Sequence, residues 1–147
     1  MSSEQRRLTV SVVIVTKDRP HLIGGLFEAL AIQTVAPDEV VVVDNDSRAS
    51  YASVFDAWRT RLPLRTFVET TQGIPAARNR GIRESRHEII AFADDDCVPE
   101  PCWLEKLIEP FYRDPHIGAV GGPTTNYASS DTFIERYYRA DREAIEK

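Results

Sequence analysis

Residues 88–96 read Glu-Ile-Ile-Ala-Phe-Ala-Asp-Asp-Asp. The apolar run within them is short, bounded by charge and rich in isoleucine, which suits a buried strand. Directly behind it stand Asp94, Asp95 and Asp96. Like charges gathered where a buried strand ends repel one another and resist desolvation, so something must compensate them. A divalent cation is the natural candidate.

Working outward from this stretch, short runs rich in Val and Ile alternate with longer segments of helical spacing, the mark of βα units and a parallel sheet. Strands are predicted over Val10–Val15, Glu39–Val43, Leu64–Val68 and Glu88–Ala93. Between them, Leu22, Ile23, Leu26, Phe27 and Leu30 form one apolar helical stripe, and Tyr51, Val54, Phe55 and Trp58 form another. A third helix is expected from the Gly73-Ile74-Pro75 turn through Arg86, since proline is tolerated in a first turn. Pro99–Tyr112 reads as a helix, Ile117–Gly122 as a strand broken by glycines, and Asp131–Glu146 as a polar, aromatic-bearing last helix. The expected fold class is α/β: a Rossmann-like, open, mostly parallel sheet with helices on both faces.

With 147 residues the chain fits one domain, and roughly two-thirds of its unfolded surface can be buried. Hydrophobic residues make up 42% and charged residues 28%, which excludes a disordered or low-complexity chain. A net charge of -5 argues against a nucleic-acid partner, whose binding normally needs a basic face. An anionic substrate would need local help from a metal or a few arginines. Cys97 and Cys102 form no CxxC pair and read as reduced and structural, while His21, His87 and His116 are too scattered to form a metal cluster. The opening MSSEQRRLTV lacks a signal-like apolar stretch, and no run reaches the ~20 apolar residues of a spanning helix. The expected location is cytoplasmic, with attachment at the membrane face as the variant.

Ligands of open parallel sheets bind outside the carboxyl ends of the strands. Three such ends carry unusual polar groups: Thr16-Lys17-Asp18-Arg19, Asp44-Asn45-Asp46, and the aspartate triplet. Carboxylates two residues apart can grip one magnesium or manganese ion that also holds phosphate oxygens; the plainer alternative is a solvated acidic loop or helix cap. Asp44-Asn45-Asp46-Ser47 suits a base or ribose contact and a capping turn equally well. Arg78 can meet a phosphate with its planar fork, whereas Arg80, Arg83 and Arg86 read as a solvated basic face.

Taken in order, VSVVIVTKDRP, EVVVVDNDS, GIPAARNRGI, IIAFADDDCVP and GAVGG resemble the amino-terminal, nucleotide-sugar-binding half of family 2 glycosyltransferases over nearly the whole chain. The resemblance implies a GT-A fold, a nucleoside diphosphate sugar donor, inverting transfer to a glycan, lipid-linked or other hydroxyl acceptor, and a Mn2+ or Mg2+ ion. Carried over by position, Asp96 is the metal-binding end of a DxD motif and Asp94 its first acidic position, with Asp95 near ribose or sugar. Asp44 and Asn45 match an acidic pair that contacts the base, with Asn45 replacing the often acidic second position; the choice among Asp44, Asn45 and Asp46 stays open. Thr16, Lys17 and Asp18 match the first nucleotide-contacting loop, and Arg78 with Asn79 matches the family's ARN segment.

The family's catalytic base lies in an acceptor-binding half well beyond the glycine-bearing strand, and no counterpart is evident after Gly122. Residues 1–147 are therefore expected to form a single GT-A-like donor-binding domain without the acceptor half or the base. Phe133, Tyr137 and Tyr138 are left as a homodimer face, a peripheral membrane contact or a seat for a following segment. Two other classes compete: a receiver-like domain phosphorylated on aspartate, and a non-catalytic nucleotide-binding or interaction domain.

Overall fold

A computed structural model describes residues 6–124. Four strands, β1 (Val10–Thr16), β2 (Glu39–Asp44), β3 (Leu64–Val68) and β4 (Ile89–Asp94), alternate with α1 (Ile23–Ala31), α2 (Ala52–Trp58), α3 (Ile74–Glu84) and α4 (Trp103–Arg113). The strands form one parallel sheet in the order β3-β2-β1-β4. Central β1 and β2 carry valine and isoleucine to both faces, and both faces are covered, which is why their sequences lack the alternation of a half-exposed strand.

Val10, Val12 and Ile14 of β1 pack with Val40 and Val42 against Leu26, Phe27 and Leu30 of α1, Phe55 and Trp58 of α2, and Leu104 and Ile108 of α4. Phe27 holds the aromatic part of this core, its ring 5.9 Å from Trp58 and 6.4 Å from Phe55. Burying a side chain of this size is worth about 1.5–3 kcal/mol. On the other face, Val13, Val41 and Val43 meet Ala77 of α3. There α3 comes close: a Cβ on Gly81 would stand 2.3 Å from Val13 Cγ1, so only glycine fits without moving the helix.

Two expected elements differ. The helix over Pro99–Tyr112 begins only at Trp103, because Pro99 and Pro101 push the residues before them out of helical backbone. Its start is tied to α1 through Gln33, whose amide donates to Glu100 O (2.8 Å) and whose carbonyl accepts from Leu104 N (3.0 Å). The strand over Ile117–Gly122 does not form among the described residues. A strand exists only as a paired one, and three glycines in six positions offer little side-chain surface to hold it beside β4. The helix over Asp131–Glu146 lies outside the described residues. No described helix is long and apolar enough to cross a membrane.

Candidate functional site

The parallel strands deliver their carboxyl ends to one side, where β1, β2 and β4 border a cavity of about 610 Å³. That volume suits a small-molecule ligand. Of the residues expected at a site, Thr16, Lys17, Asp18, Asn45, Arg78, Asp94, Asp95 and Asp96 line it. Asp44 and Asp46 do not. Arg19, Gln72, Gly73 and Ile74 line it as well.

The aspartate triplet splits by burial. Asp95 is 0% exposed, whereas the side chains of Asp94 and Asp96 are 67% and 52% exposed. Asp95 Oδ2 accepts from the Thr16 hydroxyl at 2.5 Å, and Oδ1 accepts from Arg19 Nη2 at 2.5 Å. The guanidinium facing the carboxylate makes the second of these a charge-assisted bond. Because Thr16 spends its one hydroxyl hydrogen on Asp95, the Tyr51 hydroxyl must be the donor in their 2.7 Å contact, and Tyr51 in turn accepts from Arg19 N at 2.9 Å. Arg19 therefore reaches Asp95 twice, once by its side chain and once through Tyr51 and Thr16. The circuit ties β4 to β1 and to the loop before α1.

The exposed carboxylates have looser partners. Arg19 Nη1 stands 3.4 Å from Asp96 Oδ2, and Arg78 Nη2 stands 3.2 Å from Asp94 Oδ1. The compensating charge that the triplet demands thus comes first from two arginines. The resident cation of the buried position is a guanidinium.

At the end of β2, Asn45 is buried and fully occupied. Its amide nitrogen donates to Glu69 O and Thr71 O, both at 2.8 Å, and its carbonyl accepts from Gly73 N at 2.8 Å. This clasp fixes the loop that starts α3, with Gly73 at φ 120°, a conformation that favours glycine. Gly73 and Ile74 line the cavity, so the positive end of the α3 dipole abuts it. Lys17 bonds Asn45 O at 3.0 Å and the Gln72 carbonyl, and Gln72 donates to Asp46 at 3.3 Å. Asp44 accepts from Ser47 N at 3.0 Å, a local cap. Asp18, at φ 53°, accepts from the amides of Arg48 (2.7 Å) and Ala49 (3.2 Å), which hold its carboxyl below the ordinary aspartate range. Burial pushes the Cys97 thiol up, and the neighbouring aspartates add to the shift, which keeps it protonated. Part of the basic face beyond Arg78 is paired: Arg80 meets Glu84 at 2.9 Å and Arg83 meets Glu69 at 3.9 Å.

Among the described residues no three His, Cys, Asp or Glu side chains converge on a metal-sized point. The donor set that does face the cavity, Asp94 and Asp96, is of the kind that binds magnesium or manganese through one or two carboxylates and leaves the other positions to phosphate and water. The residues fit such an ion when it arrives with an anionic ligand.

The sequence places Arg19 at the polar end of β1 without giving it a role or a partner, and places Tyr51 only in an apolar helical stripe. The carboxylate that Arg19 binds is 76 positions away, and the Thr16 hydroxyl that Tyr51 meets is 35 positions away.

Residues 11–144 match the family described as Glycosyl transferase family 2. The chain is 33% identical over 111 residues to a UDP-Gal:alpha-D-GlcNAc-diphosphoundecaprenol beta-1,3-galactosyltransferase of Escherichia coli, an alignment covering 74% of this chain and 40% of that protein. The fold matches the mannosyltransferase PcManGT of Pyrobaculum calidifontis, solved with GDP-Man and Mn2+, with a TM-score of 0.69 and 28% identity over 77% of this chain and 34% of that one. It also matches S. aureus TarS 1-349 in complex with UDP, with a TM-score of 0.64 and 26% identity over 71% of this chain and 33% of that one. The chain spans less than half the length of these proteins.

Proposed function

The chain belongs to glycosyl transferase family 2, and from that premise we propose that its cavity binds the nucleoside diphosphate part of a sugar donor together with Mn2+ or Mg2+, as the leaving-group side of an inverting transfer to an acceptor hydroxyl. One observation carries this reading: at the carboxyl ends of β1, β2 and β4, two exposed carboxylates, Arg78 and the start of α3 border a single cavity. An anion and a divalent cation find partners there at the same time.

Asp96 and Asp94 would hold the cation, which would supply charge stabilisation to the departing diphosphate. Arg78 is placed to leave Asp94 for a diphosphate oxygen, and its fork suits that ligand. Lys17 and the α3 dipole add positive potential on the same wall. Thr16 and Asp95 are committed to the internal circuit, so we assign them to holding the site rather than to touching the sugar. Asn45 serves likewise by fixing the Gly73 loop, which leaves base contact to that loop and to Lys17.

Deprotonating the acceptor hydroxyl needs a free carboxylate facing the sugar. Among the described residues Asp18, Asp94, Asp95 and Asp96 are the carboxylates lining the cavity, and each already has a partner, Asp18 in the amides of Arg48 and Ala49 and the others in Arg19 or Arg78. We therefore assign the base to a part of the enzyme outside the described residues. The relatives' names suggest UDP-galactose and GDP-mannose as first donors to try. Galactosyl or mannosyl transfer, action at the cytoplasmic membrane face and homodimer formation stand as proposals of the same kind.

The test is calorimetric titration with uridine, guanosine and thymidine diphosphates, with and without Mn2+. One of them is expected to bind at least tenfold more tightly with the metal, and Asp96→Asn to remove that gain. Binding indifferent to Mn2+ for all three would overturn the reading.

A further inference from the structure

Arg19 has two unequal grips on the acidic turn. The first, on Asp95, is short, fully buried at the carboxylate and closed into a circuit through Tyr51 and Thr16. The second, on Asp96, is 3.4 Å long and lies at the cavity, where both partners are about half exposed. A contact of that length, at the limit of hydrogen bonding and open to water, exchanges easily. Arg19 N is held by the Tyr51 hydroxyl, so the backbone keeps its place while the outer amine lets go.

Charge gives this arrangement a direction. The three carboxylates meet two guanidinium groups, Arg19 and Arg78, leaving one negative charge among the groups in contact. A divalent cation entering alone would turn that balance positive, within a few ångströms of Arg19. A diphosphate entering with it restores a negative balance.

From this, and resting on the donor reading above, we infer that Arg19 is a positioning residue and a built-in counter-ion that suppresses metal binding until the diphosphate is present. It neutralises Asp95 in every state and Asp96 only until the cation takes that carboxylate. Metal and nucleotide consequently bind together rather than metal first.

The test measures Mn2+ binding without any nucleotide, from the loss of the free-ion signal in electron paramagnetic resonance, on the full chain. Arg19→Met is expected to tighten Mn2+ binding about tenfold, the repulsion between a unit charge and a divalent ion about 6 Å apart under water-like screening. Arg19→Lys keeps the charge and is expected to stay within about twofold of the parent. Adding Asp96→Asn to Arg19→Met should erase the gain. If Arg19→Met binds Mn2+ no more tightly than the parent, the inference is wrong. Should that variant fail to fold, Arg19→Gln, which keeps an N–H donor for Asp95 but carries no charge, takes its place: it too should bind Mn2+ more tightly, and no gain there also overturns the inference. Failure of every diphosphate to bind the parent with Mn2+ would instead remove the donor reading, and the metal-only comparison would still stand.

Discussion

The two ends of β1 carry nearly the same device. At the amino end, the buried Glu39 carboxylate accepts from the Ser11 hydroxyl at 2.7 Å and from Arg65 Nη1 at 2.5 Å. At the carboxyl end, the buried Asp95 carboxylate accepts from the Thr16 hydroxyl and from Arg19 Nη2, both at 2.5 Å. What separates them is where the rest of each guanidinium goes. Arg65 also donates to Glu84 O at 2.7 Å, lies 3.6 Å from the Glu84 carboxylate and stacks 5.0 Å over Phe67, while Glu39 takes a further bond from Arg86 N at 3.2 Å. Arg19 instead turns its spare amine to an exposed carboxylate beside a cavity. One knot is closed on the protein, and the other is left open to a ligand.

The contrast breaks if both knots answer alike to substitution. Arg65→Met leaves the Glu39 charge buried without its main partner and is expected to cost about 3–5 kcal/mol, read as a lower urea midpoint at unchanged slope. Its folded fraction should bind nucleotide as before; a weaker affinity would erase the distinction. Tyr51→Phe opens the circuit at the other end and strips a partner from Arg19 N and Thr16. A loss of about 1–2 kcal/mol is expected, together with weaker metal-dependent nucleotide binding. A stability change without a binding change would make the upper knot as purely structural as the lower.

Acid sharpens the comparison further. Burial pushes the Glu39 carboxyl up, but the donors from Ser11, Arg65 and the Arg86 amide outweigh it and hold the group below its ordinary value of 4.5. A carboxyl depressed on folding contributes stability that is present above its unfolded value and lost as pH falls through the folded one. Urea midpoints should therefore decline as pH drops below 4.5, and Glu39→Gln should flatten that decline while lowering the midpoint near neutrality. Smallest of all, Asp18→Asn removes charge from an exposed loop cap, and a midpoint within experimental error of the parent is expected.

The pattern of strands and helices was legible because it is written in local spacing: each of β1 to β4 falls within a residue of its apolar run. So were the polar strand ends, since parallel strands must deliver them to one side. The partners were not. Arg19 with Asp95, Arg65 with Glu39, and Gln33 with the start of α4 join positions 76, 26 and 71 apart, and no spacing rule reaches that far. The triplet posed the right charge problem, yet its nearest answer was a pair of arginines. The strand over Ile117–Gly122 failed for a related reason, as β-propensity describes a partner's surface as much as the residue's own.

Gly81 sets a tolerance for the whole upper wall. It sits three residues after Arg78 on the same helix, and its missing side chain is what lets α3 lie against Val13. A methyl there would act as a wedge beneath a rigid rod, lifting the rod and carrying the Arg78 fork out of register with Asp94. The fit between arginine and carboxylate is thus set about one turn along the same helix, by an atom that is not there.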